Sequence, residues 1–455
     1  MSHVAVNPST GQTIATHEEM SPQALRAAIG AAHKAFLAWR KVPVSARTEP
    51  LRAAGRLLRA RAEPYAALMA EEMGKPLAQG RAEVEKCALA CDYYAEHAEG
   101  FLAPEPVATD AAKSYVAYQP LGIVFAIMPW NFPFWQVLRF AAPTLVGGNA
   151  ALLKHAPTVP GCALAIEQLL LDAGFPEGLF RTLLISVAQA KTVIRHRQVA
   201  AVTLTGSTAA GKAVGKEAGA RLKKCVLELG GSDPYLILGD ADLDLAVEAC
   251  ATSRLINSGQ SCIAAKRFLV VDAVREEFER RLVERMRRVR MGDPRDPASE
   301  IGPQARADLR AALHDQVERS VAAGARLLLG GTVPPGPGFF YPPTVLTDVN
   351  KGMPAYSEEL FGPVASVIRV KDGKEALKVA NGSSYGLGAA VFTGNAARGE
   401  ELAASGLEAG SCFVNAFVRS DPRLPFGGIK ESGHGRELGR QGLLEFQNVK
   451  TVYVR

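Results

Sequence analysis

Apolar positions change their rhythm along the chain. Over the first hundred residues they recur at helical spacing. Ser21-Pro22 predicts the cap and first turn of a helix through QALRAAIGAAHKAFLAWR. A second helical region runs through TEPLRAAGRLLRARAEPYAALMAEEMG and ends at Gly74, since glycine tolerates the left-handed turn that closes helices. A third covers AEVEKCALACDYYAEHAEGF. Residues 106–120 (PVATDAAKSYVAYQP) then read as extended and weakly apolar. Beyond them the apolar runs LGIVFAIM, NAALLK, FRTLLI and AAVTLT alternate with helical segments such as FWQVLRFAAPTLVGG and TVPGCALAIEQLLLDAG. Buried strands alternating with amphipathic helices predict an α/β fold with a doubly wound parallel sheet, an architecture that places ligands at the carboxyl ends of its strands.

Near Gly230-Gly231 the pattern restarts: PYLILG as strand, DLDLAVEACATSRLIN as helix, KRFLVV as strand, AVREEFERRLVERMRRV as helix. MGDPRDPASEIGPQ is a surface loop rich in turn formers. Alternation continues to about Ile429, which predicts a second α/β domain. The final EFQNVKTVYVR is β-rich and has no evident partner, so it is expected to pair with another strand or another subunit.

Composition adds limits. The chain of 455 residues is too long for one core. No apolar stretch is long enough to span a bilayer, and MSHVAVNPSTGQ lacks the pattern of a signal peptide, so a cytoplasmic protein is expected, with no membrane partner. A net charge of +6 is modest; the basic stretch Arg280–Arg290 has helical apolar spacing and reads as a solvated face, so no nucleic-acid partner is expected. Seven cysteines without paired spacing fit a reducing compartment. Cys87 and Cys91, four apart on a helix, read as packing thiols, and no metal site is expected.

Four segments carry candidate chemistry. In NSGQSC a helix stops and Cys262 follows in a small-residue turn, where a thiol can face a cleft. PWNFP follows a strand's carboxyl end; its prolines fix a rigid loop, and the side-chain amide of Asn131 is either an oxyanion donor or a turn cap. In VLELGGSDP, Glu228 at a strand's end is either a desolvated general base or half of a salt bridge. TLTGSTAAGKAVG reads strand, tight turn, helix, with Ser207 as N-cap and a helix N-terminus that favours phosphate.

Together, and in this order, these segments resemble the aldehyde dehydrogenase superfamily, as do EMGKP (72–76), EELFGPV (358–364), YGLGAAVFT (385–393) and PFGGIKESGHGRELG (425–439). KHAP (154–157) and SDPRLPFGGIKESGHGREL are similar to the short bacterial succinate-semialdehyde dehydrogenases. The resemblance implies a dinucleotide-binding domain over 1–106 and 121–230, a catalytic domain over 231–430, and a small β oligomerisation arm with C-terminal segment over 107–120 and 431–455, in a homodimer or homotetramer. It implies Cys262 as nucleophile, Glu228 as general base, and Asn131 with the Cys262 N–H as oxyanion donors. Trp130, Lys154, Gly206 and Ser207 would line the dinucleotide site, and Glu359 and Phe361 would hold the nicotinamide ribose and ring. Arg139, set among apolar neighbours on the helix after PWNFP, would read a substrate carboxylate, with an internal salt bridge as the alternative. Ser261 would border the substrate. Ile256 stands where some relatives have a second Arg, and Arg419 where some have Ser, so Arg139 and Arg419 are expected as the carboxylate clamp. NAD-selective relatives place Glu where this chain has Pro157; with no carboxylate there, Lys154 and a protonated His155 would accept a 2′-phosphate, so NADP or NAD is expected as cofactor.

The expected reaction is oxidation of succinate semialdehyde, a small carboxylated aldehyde, to succinate through a Cys262 thiohemiacetal and thioester. The rival readings are an aldehyde dehydrogenase of broad or different specificity, a dehydrogenase that passes the acyl group to coenzyme A, and a non-catalytic relative. Retention of Cys262, Glu228 and Asn131 speaks against the last.

Overall fold

The structure, a computed structural model, describes residues 2–455. Helices Pro22–Trp39, Val44–Ala60, Ala62–Met73 and Leu77–Leu102 form the N-terminal layer. The Ser21 hydroxyl caps the first, accepting from the Ala24 N–H at 3.1 Å. The second predicted region is two helices, broken at Arg61 (φ −111°), and Gly74 ends the latter in the left-handed conformation (φ 77°).

The first sheet has six strands in the order Gly433–His434, Lys224–Glu228, Val199–Thr205, Ile123–Met128, Ala150–His155, Phe180–Thr182. The last five are parallel, and 433–434 runs antiparallel at the edge. Strand order reverses between Ile123–Met128 and Val199–Thr205, which are neighbours in space though two strands apart in sequence. The loops leaving their carboxyl ends begin at Pro129 and Gly206, so Trp130 and Asn131 meet Gly206 and Ser207 at the topological switch point. The second sheet has seven strands in the order Arg326–Leu329, Thr344–Thr347, Val364–Val370, Ala265–Val271, Asp233–Ile237, Gly388–Phe392, Ser411–Val414, all parallel except the first. Near-continuous apolar burial along the central strands reflects helices on both faces.

Gln447–Val454 pairs with another strand, as expected, and that strand belongs to its own chain: it runs antiparallel along the whole of Lys113–Pro120, with Glu105–Pro106 on the far side. Gly433–His434, expected in the arm segment, sits on the edge of the first sheet against Glu228 and Leu227. Only Phe180–Thr182 of FRTLLI is strand. The basic face of helix Asp272–Arg287 is neutralised by ion pairs of Arg280, Arg281 and Arg285 with Glu277, Asp244 and Glu248.

One buried ion pair fixes the approach to the switch-point loop. Lys75 and Glu83 are in direct contact, both essentially inaccessible to water. The second Glu83 oxygen accepts from the N–H groups of Phe134 and Trp135, both at 2.9 Å, and so satisfies the start of helix Trp135–Val146. Glu83→Ala strips a buried ammonium of its counter-charge and a helix of its cap. It should lower stability by about 3–5 kcal/mol, read as a fall in the urea midpoint; an unchanged midpoint would show that the pair is dispensable.

Candidate active site

Cys262 is presented by a strained loop. Asn257, Ser258 and Gly259 are all left-handed, with φ of 54°, 55° and 77°. Non-glycine residues adopt this conformation only where surroundings compensate. Here the Asn257 N–H donates to Gln79 Oε1 at 2.6 Å, and its side-chain amide donates to the Asn131 carbonyl at 2.6 Å. Ser258 Oγ donates to the Gly302 carbonyl, and Gln304 Nε2 donates to the Ser258 carbonyl. Gly259 packs so closely on Gly362 that an added Cβ would lie 2.2 Å from its carbonyl carbon. Past the turn, buried Lys266 donates to the carbonyls of Ser261 (3.1 Å) and Cys262 (2.7 Å).

Asn131, the expected oxyanion donor, is buried. Its Oδ1 accepts from Gln136 Nε2 at 3.1 Å, which fixes the amide orientation, and its Nδ2 donates to the Gln260 carbonyl at 3.0 Å. One Nδ2 proton is left for the cleft, and the Cys262 N–H has no partner among the described residues. The amide is thus held in one orientation by Gln136 and Gln260.

Two cavities meet at Cys262. The larger, about 250 Å³, is lined by Trp130, Asn131, Gly206, Ser207, Glu359 and Phe361, among others. Trp130 and Phe361 meet edge to face with centroids 5.9 Å apart. Ser207 caps helix Thr208–Gly219, whose N-terminus opens on the cleft. Glu359 is held by the Gly231 N–H (3.1 Å) and by Lys266 (3.4 Å), and a Cβ at Gly230 would collide with its carboxylate, so the glycine pair lets that side chain in. Lys154, at the carboxyl end of its strand, is buried and has no ion-pair partner among the described residues; burial lowers its pKa. Pro157 is exposed beside it in sequence. An apolar sandwich, glycine-rich backbone, a helix N-terminus and an unpaired lysine fit a dinucleotide.

His155 does not fit its expected role. Its Nε2 lies 3.0 Å from the Pro133 carbonyl, and its Nδ1 lies 3.2 Å from the Met128 carbonyl and 2.9 Å from the Ala156 nitrogen. Burial pushes its pKa down to about 4. It braces the PWNFP loop and brings no charge to a phosphate.

The smaller cavity, about 80 Å³, lies on the other side of Cys262 and is bordered by Arg139, Ser261, Arg419, Lys86, Trp135 and Ser420, among others. Ser261 is buried and Arg419 is exposed at the wall. Arg139 departs from the expectation of a free carboxylate receptor. Its Nε contacts the buried Glu437 carboxylate, its Nη2 donates to Thr205 Oγ1 at 3.3 Å, and its guanidinium lies 4.8 Å from the Phe426 ring centroid. Only Nη1 is without a partner among the described residues. The internal salt bridge and the place on the cavity wall are both present, because a guanidinium can serve two sides at once.

The carboxyl of Glu228 is buried, with no hydrogen bond to either oxygen, and does not border either cavity. It has no salt bridge among the described residues. Burial, then the neighbouring Glu437, push its pKa well above the usual carboxylate range. Cys262, expected to face a cleft, is half-buried at the meeting of the two cavities, and burial pushes its pKa up to about 11 against the pull of Arg139 and Lys266. Cys262 therefore rests protonated at neutral pH, and Glu228 is displaced toward its neutral form. Sequence reasoning missed Glu437 and Lys86. Glu437 lies inside a matched motif, and Lys86 falls at helical spacing from Glu83 and Ala90 on the border of the buried face.

The sequence model of the Aldehyde dehydrogenase family matches residues 2–452. The chain is 49% identical over 454 residues to a probable NADP(+) succinate-semialdehyde dehydrogenase of Synechocystis sp., covering 100% of both chains. It is 47% identical to an NAD(P)+ succinate semialdehyde dehydrogenase of Escherichia coli, covering 99% of this chain and 97% of that one. Among solved structures, it superposes on the succinic semialdehyde dehydrogenase of Streptococcus pyogenes in complex with NADP+ with a TM-score of 0.97, at 38% identity, over 99% of each chain.

With a thiol pKa near 11, alkylation of Cys262 by iodoacetamide in the cofactor-free protein should be slow at pH 7 and rise about tenfold per pH unit to near pH 10. Peptide mass spectrometry resolves it from the other cysteines. A labelling midpoint near pH 7 would contradict the burial effect.

Proposed function

The chain belongs to the aldehyde dehydrogenase family, and from that premise we propose that it oxidises succinate semialdehyde to succinate with NADP or NAD. Both of the named relatives above that are 47–49% identical over nearly the whole chain carry that activity in their names. The observation that carries the substrate class is the cavity beside Cys262, where Arg139 offers Nη1 and Arg419 stands at the wall. A carboxylate on the far end of a short aldehyde meets positive charge there, whereas a neutral chain gains nothing from it. Lys154, with Pro157 in place of a carboxylate, supports tolerance of a 2′-phosphate, so NADP is accepted along with NAD.

Each step has a group to serve it. Cys262 must lose its proton before attack, and Arg139 and Lys266 are the charges that favour the thiolate. The thiolate adds to the aldehyde carbon, and Asn131 Nδ2 with the Cys262 N–H receive the resulting oxyanion. The bound dinucleotide supplies a two-electron acceptor for the hydride that leaves this carbon. The carbonyl re-forms as a thioester on Cys262. Glu228, with its raised pKa, is a strong base once deprotonated; it takes a proton from water, the hydroxide displaces the thiolate, and succinate leaves. Because its carboxyl lies off both cavity walls, Glu228 reaches that water only by turning its side chain about the strand end.

The arm sheet supports a homo-oligomer. Val107, Val449 and Tyr453 lie on it with 47%, 63% and 51% of their surface exposed, an apolar face suited to a second copy. Seven free thiols support work in the reducing cytoplasm.

The first test compares NADPH and NADH formation with succinic semialdehyde against butanal, of equal carbon count. A preference for the acid of roughly 30-fold or more is expected, with both cofactors turning over; equal rates for the two aldehydes would overturn the substrate assignment. Separately, Glu228→Gln should lower kcat by about 10²–10⁴-fold and let an acyl adduct on Cys262 accumulate in the mass spectrum. Full turnover without an adduct would remove Glu228 from the hydrolytic step.

A further inference from the structure

Lys86 enters the small cavity from helix Leu77–Leu102, a segment that none of the site motifs includes. Its Nζ donates to Ser420 Oγ at 2.7 Å and lies 4.4 Å from the Trp135 ring centroid. These contacts aim the ammonium but leave its charge uncompensated. The two acidic side chains that bear on it are both committed elsewhere. Glu83 is tied to Lys75 and to the start of the next helix, and Asp421 is held by both ends of the Arg423 guanidinium at 2.8 and 2.6 Å. The other two cations of this cavity differ from it: Arg139 is neutralised by Glu437, and Arg419 is exposed to water. Lys86 is thus the cavity's one desolvated cation without a carboxylate, and it stands beside a second cation. An arrangement that repels itself when empty becomes favourable when an anion enters.

We propose that Lys86, oriented by Ser420 and Trp135, is the principal receptor for the substrate's distal carboxylate, with Arg139 Nη1 as its second contact. This rests on the reading of a carboxylated aldehyde as substrate and names the group that selects it. Arg139 then has a divided role: its Glu437 side fixes the guanidinium, and its free nitrogen finishes the receptor. A lysine suits this place because its compact ammonium brings a point charge with three donors into a small space.

The assignment has a pH signature. Burial and then the Arg139 charge push the Lys86 pKa down to about 8, against weaker opposing effects of Cys87, Glu83 and Asp421. The groups that bear on it are therefore Arg139 on the adjacent helix, Glu83 and Cys87 on its own, and Asp421 on the loop after Ser420. The cation is present below this pKa and is lost as pH rises through it. KM for succinic semialdehyde should rise above about pH 8 while KM for butanal stays flat.

Lys86→Met should lower kcat/KM for succinic semialdehyde by at least ~30-fold, mostly through KM, and leave butanal within about threefold. Lys86→Arg should restore part of the preference. Melting temperature and butanal turnover report whether each variant is folded, and the pH profile of the unaltered enzyme needs no variant. No acid preference in the unaltered enzyme would overturn the substrate reading itself. A preference in that enzyme that survives Lys86→Met, or a KM for the acid that stays flat through pH 8–9, would overturn the role of Lys86 alone and move it to Arg139 or Arg419.

Discussion

Everything at this site depends on three consecutive left-handed residues, Asn257 to Gly259, which turn the chain out of helix Leu243–Leu255 and present Cys262. Each non-glycine residue in that conformation costs about 1–3 kcal/mol. Compensating bonds come from within the loop, between Asn257 and Gln260, and from distant segments: Gln79 in the N-terminal helices, Asn131 after strand Ile123–Met128, and Gly302 and Gln304 beyond helix Asp272–Arg287. Cys262 is therefore held from several parts of the chain at once. Asn131 gives its backbone carbonyl to the loop and its side-chain amide to the Gln260 carbonyl, so Asn131 and Cys262 keep a fixed relation. Gly259 against Gly362 closes the arrangement, since no side chain fits between them.

Around that loop the dominant force is desolvation. It raises Cys262 and Glu228, and lowers Lys86 and Lys154, so each group is displaced toward its neutral form. Fixed charges decide which can ionise when needed. Arg139 acts on Cys262, Glu228, Glu437 and Lys86 together: it favours the thiolate and the carboxylates and opposes the ammonium. Glu437 in turn opposes ionisation of Glu228. Displacement of Glu228 toward its neutral form lessens the cost of an unpaired buried carboxylate.

Much of this was legible in the sequence because it is local. Alternation of apolar runs marked both parallel sheets, Ser21, Ser207 and Gly74 marked helix ends, and the sharp turn before Cys262 was visible in Asn-Ser-Gly. The misses share a physical origin in long-range contacts. Nothing near Arg139 in sequence indicates that Glu437 lies against it, and nothing near Gln447–Val454 indicates Lys113–Pro120. His155 looked like a charge beside a lysine, and only the carbonyl of Pro133, brought over by the neighbouring strand, makes it a neutral brace. Lys86 looked like one more polar residue on a helix, because the cavity it enters is made by other segments.

The two lysines at opposite ends of the site follow one rule. Lys154 and Lys86 are each partly or wholly withdrawn from water, and neither has an ion-pair partner among the described residues. The other two buried lysines are neutralised, Lys75 by Glu83 and Lys266 by Glu359, as is Arg139 by Glu437, whereas the buried guanidiniums of Arg254 and Arg267 donate to backbone carbonyls. Leaving Lys154 and Lys86 unpaired means that their desolvation is already in place in the free protein, so an entering anion meets an oriented charge and need not strip water from it. On the proposed reading, a 2′-phosphate completes the charge at Lys154 and a distal carboxylate completes it at Lys86. On the same reading, a neutral aldehyde reacts at Cys262 yet gains nothing from the cavity beyond it, so that selectivity and chemistry reside in different residues of one small site.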